Sequence, residues 1–264
     1  MRIAAGVEYD GSGFSGWQSQ RHGNTVQDVL ERALASIAGA PVRTLCAGRT
    51  DAGVHGAAQV VHFDVSAARP MQAWVRGGNA ALPASVAVRW ACEVPDEFHA
   101  RFCARSRSYR YVLYNHAVRP AILHGRVGWF HAPLDVDAMA AAAALLVGEH
   151  DFSAFRAAEC QARSPIKSLL QADVKGQGAC ILFDFRANAF LQHMVRNLVG
   201  ALVHIGKGAE PPAWMAELLV ARERRLAAPT FSPAGLYLSG VEYDTCWQLP
   251  VNGRIIAPFD LPGG

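Results

Sequence analysis

The stretch Ala47-Gly48-Arg49-Thr50-Asp51-Ala52-Gly53-Val54-His55-Gly56 constrains this chain more than any other. Its glycines require a turn, and the runs on either side, Val42 to Cys46 and Ala58 to Val65, both read as strands. In the second run Val61, Phe63 and Val65 alternate with Val60, His62 and Asp64, the period-2 pattern of a strand. The turn therefore joins strand to strand and puts Asp51 on a loop between rigid elements, where a carboxylate can meet a ligand. Arg49, two residues earlier, points to the same side wherever the backbone stays extended. Spacing alone leaves a second reading open, a glycine-rich turn in which Asp51 hydrogen-bonds its own backbone.

A chain of 264 residues can form one large domain or two smaller ones, each with its own core. A hydrophobic content of 51% places it among globular proteins, and a net charge of +3 is too small to argue for a nucleic-acid partner by itself. The kind of basic residue is more telling, because all but Lys167, Lys175 and Lys207 are arginine, which suits bidentate phosphate contacts and stacking on bases. Between Phe98 and Leu134 lie Arg101, Arg105, Arg107, Arg110, Arg119 and Arg126 with no acidic residue, interleaved with His99, Tyr109, Tyr111, Tyr114 and His116. That composition fits a surface that follows a nucleic-acid backbone and stacks bases; a solvated basic strand face is the other reading.

Six cysteines form no CxxC pair and no metal-ligand rhythm, and read as reduced core residues of a cytoplasmic protein. The chain opens on a strand-like segment without the pattern of a signal peptide. Its longest apolar run, Ala138 to Val147, is too short to span a bilayer and reads as a buried helix, so no membrane role is indicated.

The order of elements is mixed. Arg2 to Tyr9 is a strand, and Thr25 caps a helix whose Val26, Val29, Leu30, Ala33, Leu34 and Ile37 repeat at helical spacing. Pro70 opens a second helix, and Val86 to Glu93 and Ser108 to Tyr114 are strands. The second half gives a helix from Asp135 to Val147, strands Ile166 to Lys175 and Ala179 to Arg186, a helix from Leu191 to Ile205, and another helix near Pro211. A last strand, Leu236 to Tyr243, precedes a Pro- and Gly-rich tail. The division falls near Asn115 to Pro120, giving an N-terminal lobe over 1–114 with the Asp51 loop and a C-terminal lobe over 115–264 with the Arg196 helix. On that helix Leu191, Met194, Val195, Leu198, Val199 and Leu202 line one face, while His193, Arg196, Asn197 and Gly200 fall on another.

Several motifs in order carry a resemblance to one family. They are Tyr9-Asp10-Gly11-Ser12-Gly13-Phe14-Ser15-Gly16-Trp17-Gln18, Thr25-Val26-Gln27, the Asp51 turn, Asn79-Ala80-Ala81-Leu82-Pro83 and Phe98-His99-Ala100-Arg101-Phe102, followed by Tyr109-Arg110-Tyr111, Phe190 to Asn197 and Gly235-Leu236-Tyr237-Leu238. Together they resemble the tRNA pseudouridine synthase A family from about Ile3 to about Tyr243. Gln192 departs from the pattern, standing where many relatives carry a basic residue or His.

The resemblance implies an α+β fold of two related α/β lobes that share a mainly antiparallel sheet with a central catalytic cleft. It implies isomerisation of uridine to pseudouridine at positions 38, 39 and 40 of the tRNA anticodon stem-loop by a homodimer, with tRNA lying across both subunits. Asp51 would be the catalytic residue and Arg196 its salt-bridge partner. Tyr109 would stack on the target base, although Tyr111 points the same way along its strand. Arg49 would fill the helical stack or hold the backbone when the uridine is turned outward. The reaction breaks the C1′–N1 bond and forms C1′–C5 with no redox change, so no cofactor and no metal are required. A glycosidase needs two carboxylates, whereas the matching loop has one, which suits an enzyme that keeps its base. A catalytically silent tRNA-binding protein of the same fold is one alternative. A metal-dependent hydrolase using Asp51, His55, His62 and Asp64 is another, although their spacing matches no familiar ligand set.

Overall fold

The structure, a computed structural model, describes residues 1–66 and 68–250. Ten strands and five α-helices among these residues make an α+β protein. The chain folds as two compact units, Met1–Arg105 with the chain from Tyr237 on, and Ser106–Leu236.

In the first unit come strand β1 (Arg2–Tyr9), helix α1 (Val26–Ala38), strands β2 (Leu45–Cys46) and β3 (His55–Asp64), helix α2 (Met71–Ala81) and strand β4 (Val86–Val94). β1 lies between β4 and β3, antiparallel to both. The helix α1 starts where the sequence predicts, because Thr25 is extended and its hydroxyl accepts from the Asp28 N–H. Gly39 ends it in the left-handed conformation with φ 71°. Pro70 takes the N-cap position of α2 and supplies no side-chain cap.

The alternation in β3 is real, but both faces are buried. Val61, Phe63 and Val65 join Ile3, Ala5, Val7 and Tyr9 of β1 in a core with Leu30, Leu34 and Trp74 of the helices. Val60 and Ala4 face the other way and pack with Phe98 and Ala100. That side is closed by the last strand of the described residues, whose Val241 and Tyr243 pack there together with Trp247 beyond it. Of the tail after Tyr243, residues 251–264 lie outside the described residues.

The second unit begins with β5 (Ala104–Asn115), β6 (Gly128–Phe130), helix α3 (Val136–Ala144), β7 (Gly148–Asp151), β8 (Ile166–Gln177) and β9 (Cys180–Ala187). It continues with helices α4 (Met194–Gly206) and α5 (Trp214–Ala221), and β10 (Leu236–Tyr243) then carries the chain back into the first unit. β9 lies antiparallel between β5 and β8, and β7 borders β8. The short β6 runs parallel to β5 through Leu113 and Gly128. Two pairings are therefore parallel, β5 with β6 and β3 with β10, and the others recorded within the units are antiparallel.

Three expectations are corrected. The Ala-rich helix stops at Ala144, ahead of Gly148 at φ 119°, and buries only the stripe of Met139, Ala142 and Ala143. Helix α4 begins at Met194 rather than Leu191, because His193 before it is left-handed at φ 62° and Met194 N–H turns back to Leu191 O. Of the six free cysteines Cys160 is buried, Cys46, Cys92 and Cys103 are half-buried against the cores of the first unit, and Cys246 is exposed, so the core reading holds for some of them and not for the set. No helix among the described residues is long and apolar enough to cross a membrane.

The packing behind β3 carries a pH dependence. The His62 ring is buried, and its Nδ1 accepts the Ala100 N–H at 3.1 Å, so that nitrogen must stay unprotonated. Burial, with the neighbouring His99 and Arg2 charges adding to it, pushes the His62 pKa down from 6.5 to about 4. Above pH 6.5 both the folded and unfolded chains hold this ring neutral, and the contact is fully stabilising. As pH falls toward 4 the unfolded chain binds the proton first and stability drains away. The thermal midpoint should therefore fall across this window, and His62→Gln should make the fall shallower. A slope unchanged in the variant would remove His62 as its source.

Candidate active site

Asp51 lies in the turn between β2 and β3, on a loop that interlocks with the one following β1. Gly11 comes so close to the neighbouring chain that an added Cβ would lie 1.9 Å from Val54 O. Gly16, at φ 89°, would place one 2.7 Å from Thr50 O. Only glycine permits these approaches, and hydrogen bonds exploit them. Trp17 N–H donates to Thr50 O at 3.0 Å, and Gly53 N–H reaches Phe14 O at 3.4 Å. Gly11 N–H donates to His55 Nδ1 at 3.1 Å, while the His55 ring stacks on Tyr237 with centroids 4.6 Å apart. Tyr237 is also the residue through which β10 pairs in parallel with β3 at His55.

A buried polar group supports the turn from beneath. Gln59 is fully buried, donates from Nε2 to Gly48 O at 2.6 Å and accepts Gly48 N–H at Oε1 at 3.3 Å. The same Nε2 lies 3.5 Å from the Tyr9 hydroxyl, which shares a proton with Thr50 Oγ1 at 2.9 Å. The residue before Arg49 and the residue before Asp51 are thus both gripped from the core side. Asp51 itself is half-buried, its carbonyl accepting the Val54 N–H at 3.1 Å, and Arg49 is exposed. The turn closes through the Asp51 carbonyl, a main-chain bond and not the side-chain bond of the plainer reading, and it carries both charged residues on a rigid mount.

Arg196 and Tyr109 belong to the second unit. Arg196 sits in the first turn of α4, half-buried, with Nε donating to Phe231 O at 2.9 Å. Phe231 N–H donates to Arg196 O at 3.2 Å, so side chain and backbone clasp the same residue. The neighbouring Asn197 is fully buried and donates to Phe155 O at 2.8 Å. Its Oδ1 accepts from Thr230 Oγ1 at 2.6 Å and from Arg224 at 3.1 Å. Gly200, one turn on, lets Pro229 O come within 2.2 Å of where a Cβ would be. The helix face holding Arg196, Asn197 and Gly200 is therefore not a free surface; the segment Pro229–Phe231 covers it.

The two tyrosines of β5 differ. Tyr111 is fully buried and its hydroxyl donates to Ser232 O at 2.9 Å. Its ring also fills the space above Gly128 and Gly235, which identifies it as a structural residue. Tyr109 keeps 8% of its surface and meets Phe190 edge-on at 5.0 Å.

The residues weighed as a metal set have separate engagements. His55 Nδ1 accepts from Gly11 and His62 Nδ1 from Ala100, while both Asp64 oxygens accept from Arg2. No cluster of metal-ligating residues occurs among the described residues. The sequence assigns no role to Gln59, Tyr9, Thr50 or Asn197, although the last three stand within its motifs. A lone Gln in the apolar run Ala57–Val61 was the available signal, because a buried amide must find partners.

Comparison with known proteins adds the following. A sequence profile of the family described as tRNA pseudouridine synthase matches residues 5–103 and 142–244. Arg49, Asp51 and Arg196 lie inside the matched segments and Tyr109 between them. A protein named tRNA pseudouridine synthase A from Aromatoleum aromaticum is 63% identical over 262 residues, covering 99% of each chain. Similar proteins of that name from Dechloromonas aromatica and Methylobacillus flagellatus are each 60% identical, over 250 and 254 residues, and cover at least 95% of either chain.

Replacing Gln59 by Leu would strand both polar groups of Gly48 and weaken the hold on Tyr9. Stability should fall by about 1–3 kcal/mol, as for other buried polar groups that lose their partner. Urea denaturation measures this; an unchanged midpoint would mean that the loop-to-loop backbone bonds suffice.

Proposed function

This chain belongs to the tRNA pseudouridine synthase family, and on that premise we propose that it isomerises uridine to pseudouridine at positions 38, 39 and 40 of the tRNA anticodon stem-loop. The observation that carries the reading is the mounting of Asp51 on a turn gripped through Gly48 and Thr50. A carboxylate fixed in this way can meet a reacting atom without first ordering its own loop.

In the reaction the C1′–N1 bond breaks, the uracil rotates, and C1′ bonds to C5, which gives up its hydrogen as a proton while the freed N1 takes one up. Asp51 is the catalytic carboxylate, as nucleophile toward sugar or base or as the base that takes the proton. The other carboxylate of the interlocked loops, Asp10, accepts the N–H and hydroxyl of Ser12 and lies 3.2 Å from His55 Nδ1. One working carboxylate suits a reaction with no departing base. Arg196 is the ion-pair partner of Asp51, and its double link to Phe231 would keep the guanidinium aimed. Tyr109 stacks on the target base; the full burial of Tyr111 supports this choice between the two. Arg49, exposed beside Asp51, fills the stack or steadies the backbone once the uridine is flipped, which costs about a few kcal/mol. No cofactor is needed. Free cysteines suit work in the cytoplasm. Nothing in the site favours a catalytically silent tRNA-binding protein.

The enzyme acts as a homodimer with tRNA across both subunits. Exposed apolar side chains at Val118, Ile122 and Trp129, around β6, support such an interface. Sedimentation should give twice the mass of one chain at micromolar concentration, and a monomer would count against the arrangement.

Tritium release from tRNA labelled at uridine C5 tests the reaction. Wild type should release tritium from transcripts with uridines at positions 38 to 40 and from none lacking them. Asp51→Ala should still bind tRNA and release nothing. Turnover retained by this variant would remove Asp51 from the mechanism, and wild-type binding without release would restore the silent alternative.

A further inference from the structure

Phe102 is 75% exposed, while Phe98, four residues earlier, is fully buried. An exposed phenylalanine on a mobile loop would need no explanation, but the turn carrying this one is firmly built. His99 Nδ1 accepts the Arg101 N–H at 3.1 Å and the Phe102 N–H at 3.3 Å. Cys103 N–H closes the turn on His99 O at 2.9 Å. Beneath it, Ala100 N–H donates to buried His62 and Ala100 O accepts the Tyr243 hydroxyl at 2.6 Å. The backbone therefore holds the Phe102 ring out in water instead of letting it fold back.

The ring ends an aromatic column. His62 and His99 lie with centroids 4.6 Å apart, and His99 and Phe102 follow at 4.3 Å with their planes 37° apart. The guanidinium of Arg101 sits 5.6 Å from the Phe102 centroid. His62 pairs across the sheet with Leu45 of β2, so the column starts beside the short strand that leads into the Asp51 turn. A rigid, water-facing ring packed against the tilted ring of His99 and flanked by arginine is complementary to a flat, π-faced group attached to a negative backbone.

We propose that Phe102, backed by His99 and flanked by Arg101, is a stacking platform for an unpaired nucleobase of the substrate tRNA. This rests on the tRNA substrate proposed above and adds a contact distinct from Tyr109 and Arg49. Arg101 meets the phosphate next to the stacked base. Stacking tolerates any base, so the platform would contribute affinity without restricting which uridine is modified.

The test compares Phe102→Leu, Phe102→Trp and Arg101→Gln with wild type by filter binding to an unmodified tRNA transcript across a salt series, with wild-type tritium release and sedimentation alongside. Phe102→Leu keeps an apolar side chain without a π-face and should weaken binding about tenfold, with the salt slope and thermal midpoint unmoved. Phe102→Trp should retain affinity, and Arg101→Gln should lower the salt slope by about one. Wild-type affinity in Phe102→Leu would overturn the platform while leaving tritium release, and hence the synthase reading, intact. Release absent from a wild type that binds tRNA would sink that reading, and the Leu and Trp affinities would still decide on stacking. A dimer that becomes monomeric in Phe102→Leu would assign the ring to a protein interface and overturn the proposal.

Discussion

The approach of one backbone to another, between the loop after β1 and the turn before β3, is the constraint on which the mount of Asp51 depends. Buried peptide groups have to be paired, and these two loops have too little regular structure to pair their own. They do it with each other, Trp17 with Thr50 and Gly53 with Phe14. Contact this close excludes a Cβ at Gly11 and at Gly16, which explains why glycine occupies both positions. The polar groups that would otherwise demand water are used up inside, and Arg49 and Asp51 stand on the rigid turn that results.

The second unit handles Arg196 by the same physical means with different parts. Gly200 admits the Pro229 carbonyl, and Phe231 clasps Arg196 through its own N–H and C=O. In each unit a fully buried carboxamide lies next to a charge proposed for the site, Gln59 under the Asp51 turn and Asn197 after Arg196. A neutral amide both donates and accepts and does not titrate, so it can grip backbone without adding charge that would compete with the site's own.

Elements with strong local signals were legible in the sequence. The strand Arg2–Tyr9, the Thr25 cap and the strand Leu236–Tyr243 all stand where patterning and capping chemistry put them. The failures are non-local. Periodicity marked β3 as a strand but could not tell that both faces would be covered, because Phe98, Ala100 and Tyr243 come from far along the chain. The parallel strand β6 has three residues and no alternation to detect. The polar face of α4 looked open because the segment covering it lies some thirty residues on, around Phe231. Motifs singled out the charged site residues, whereas Gln59 and Asn197 are recognisable only by the partners they bury with.

The return of β10 to the first unit has a consequence for how the protein is made. Tyr237 and Leu238 pair with His55 and Gly56, so the part of β3 nearest the Asp51 turn receives this neighbour only after the whole second unit has been made. On a ribosome adding about 5–20 residues per second, the interval from Arg105 to Tyr237 lasts on the order of ten seconds. During that time the nascent chain carries an open strand edge, the kind of surface on which wrong pairings nucleate. The second unit is therefore an insertion in time as well as in sequence: the first unit starts earlier and finishes later. A truncated chain stopping short of β10 would leave unfinished the strand that leads out of the turn, making synthesis to the last strand a checkpoint on activity.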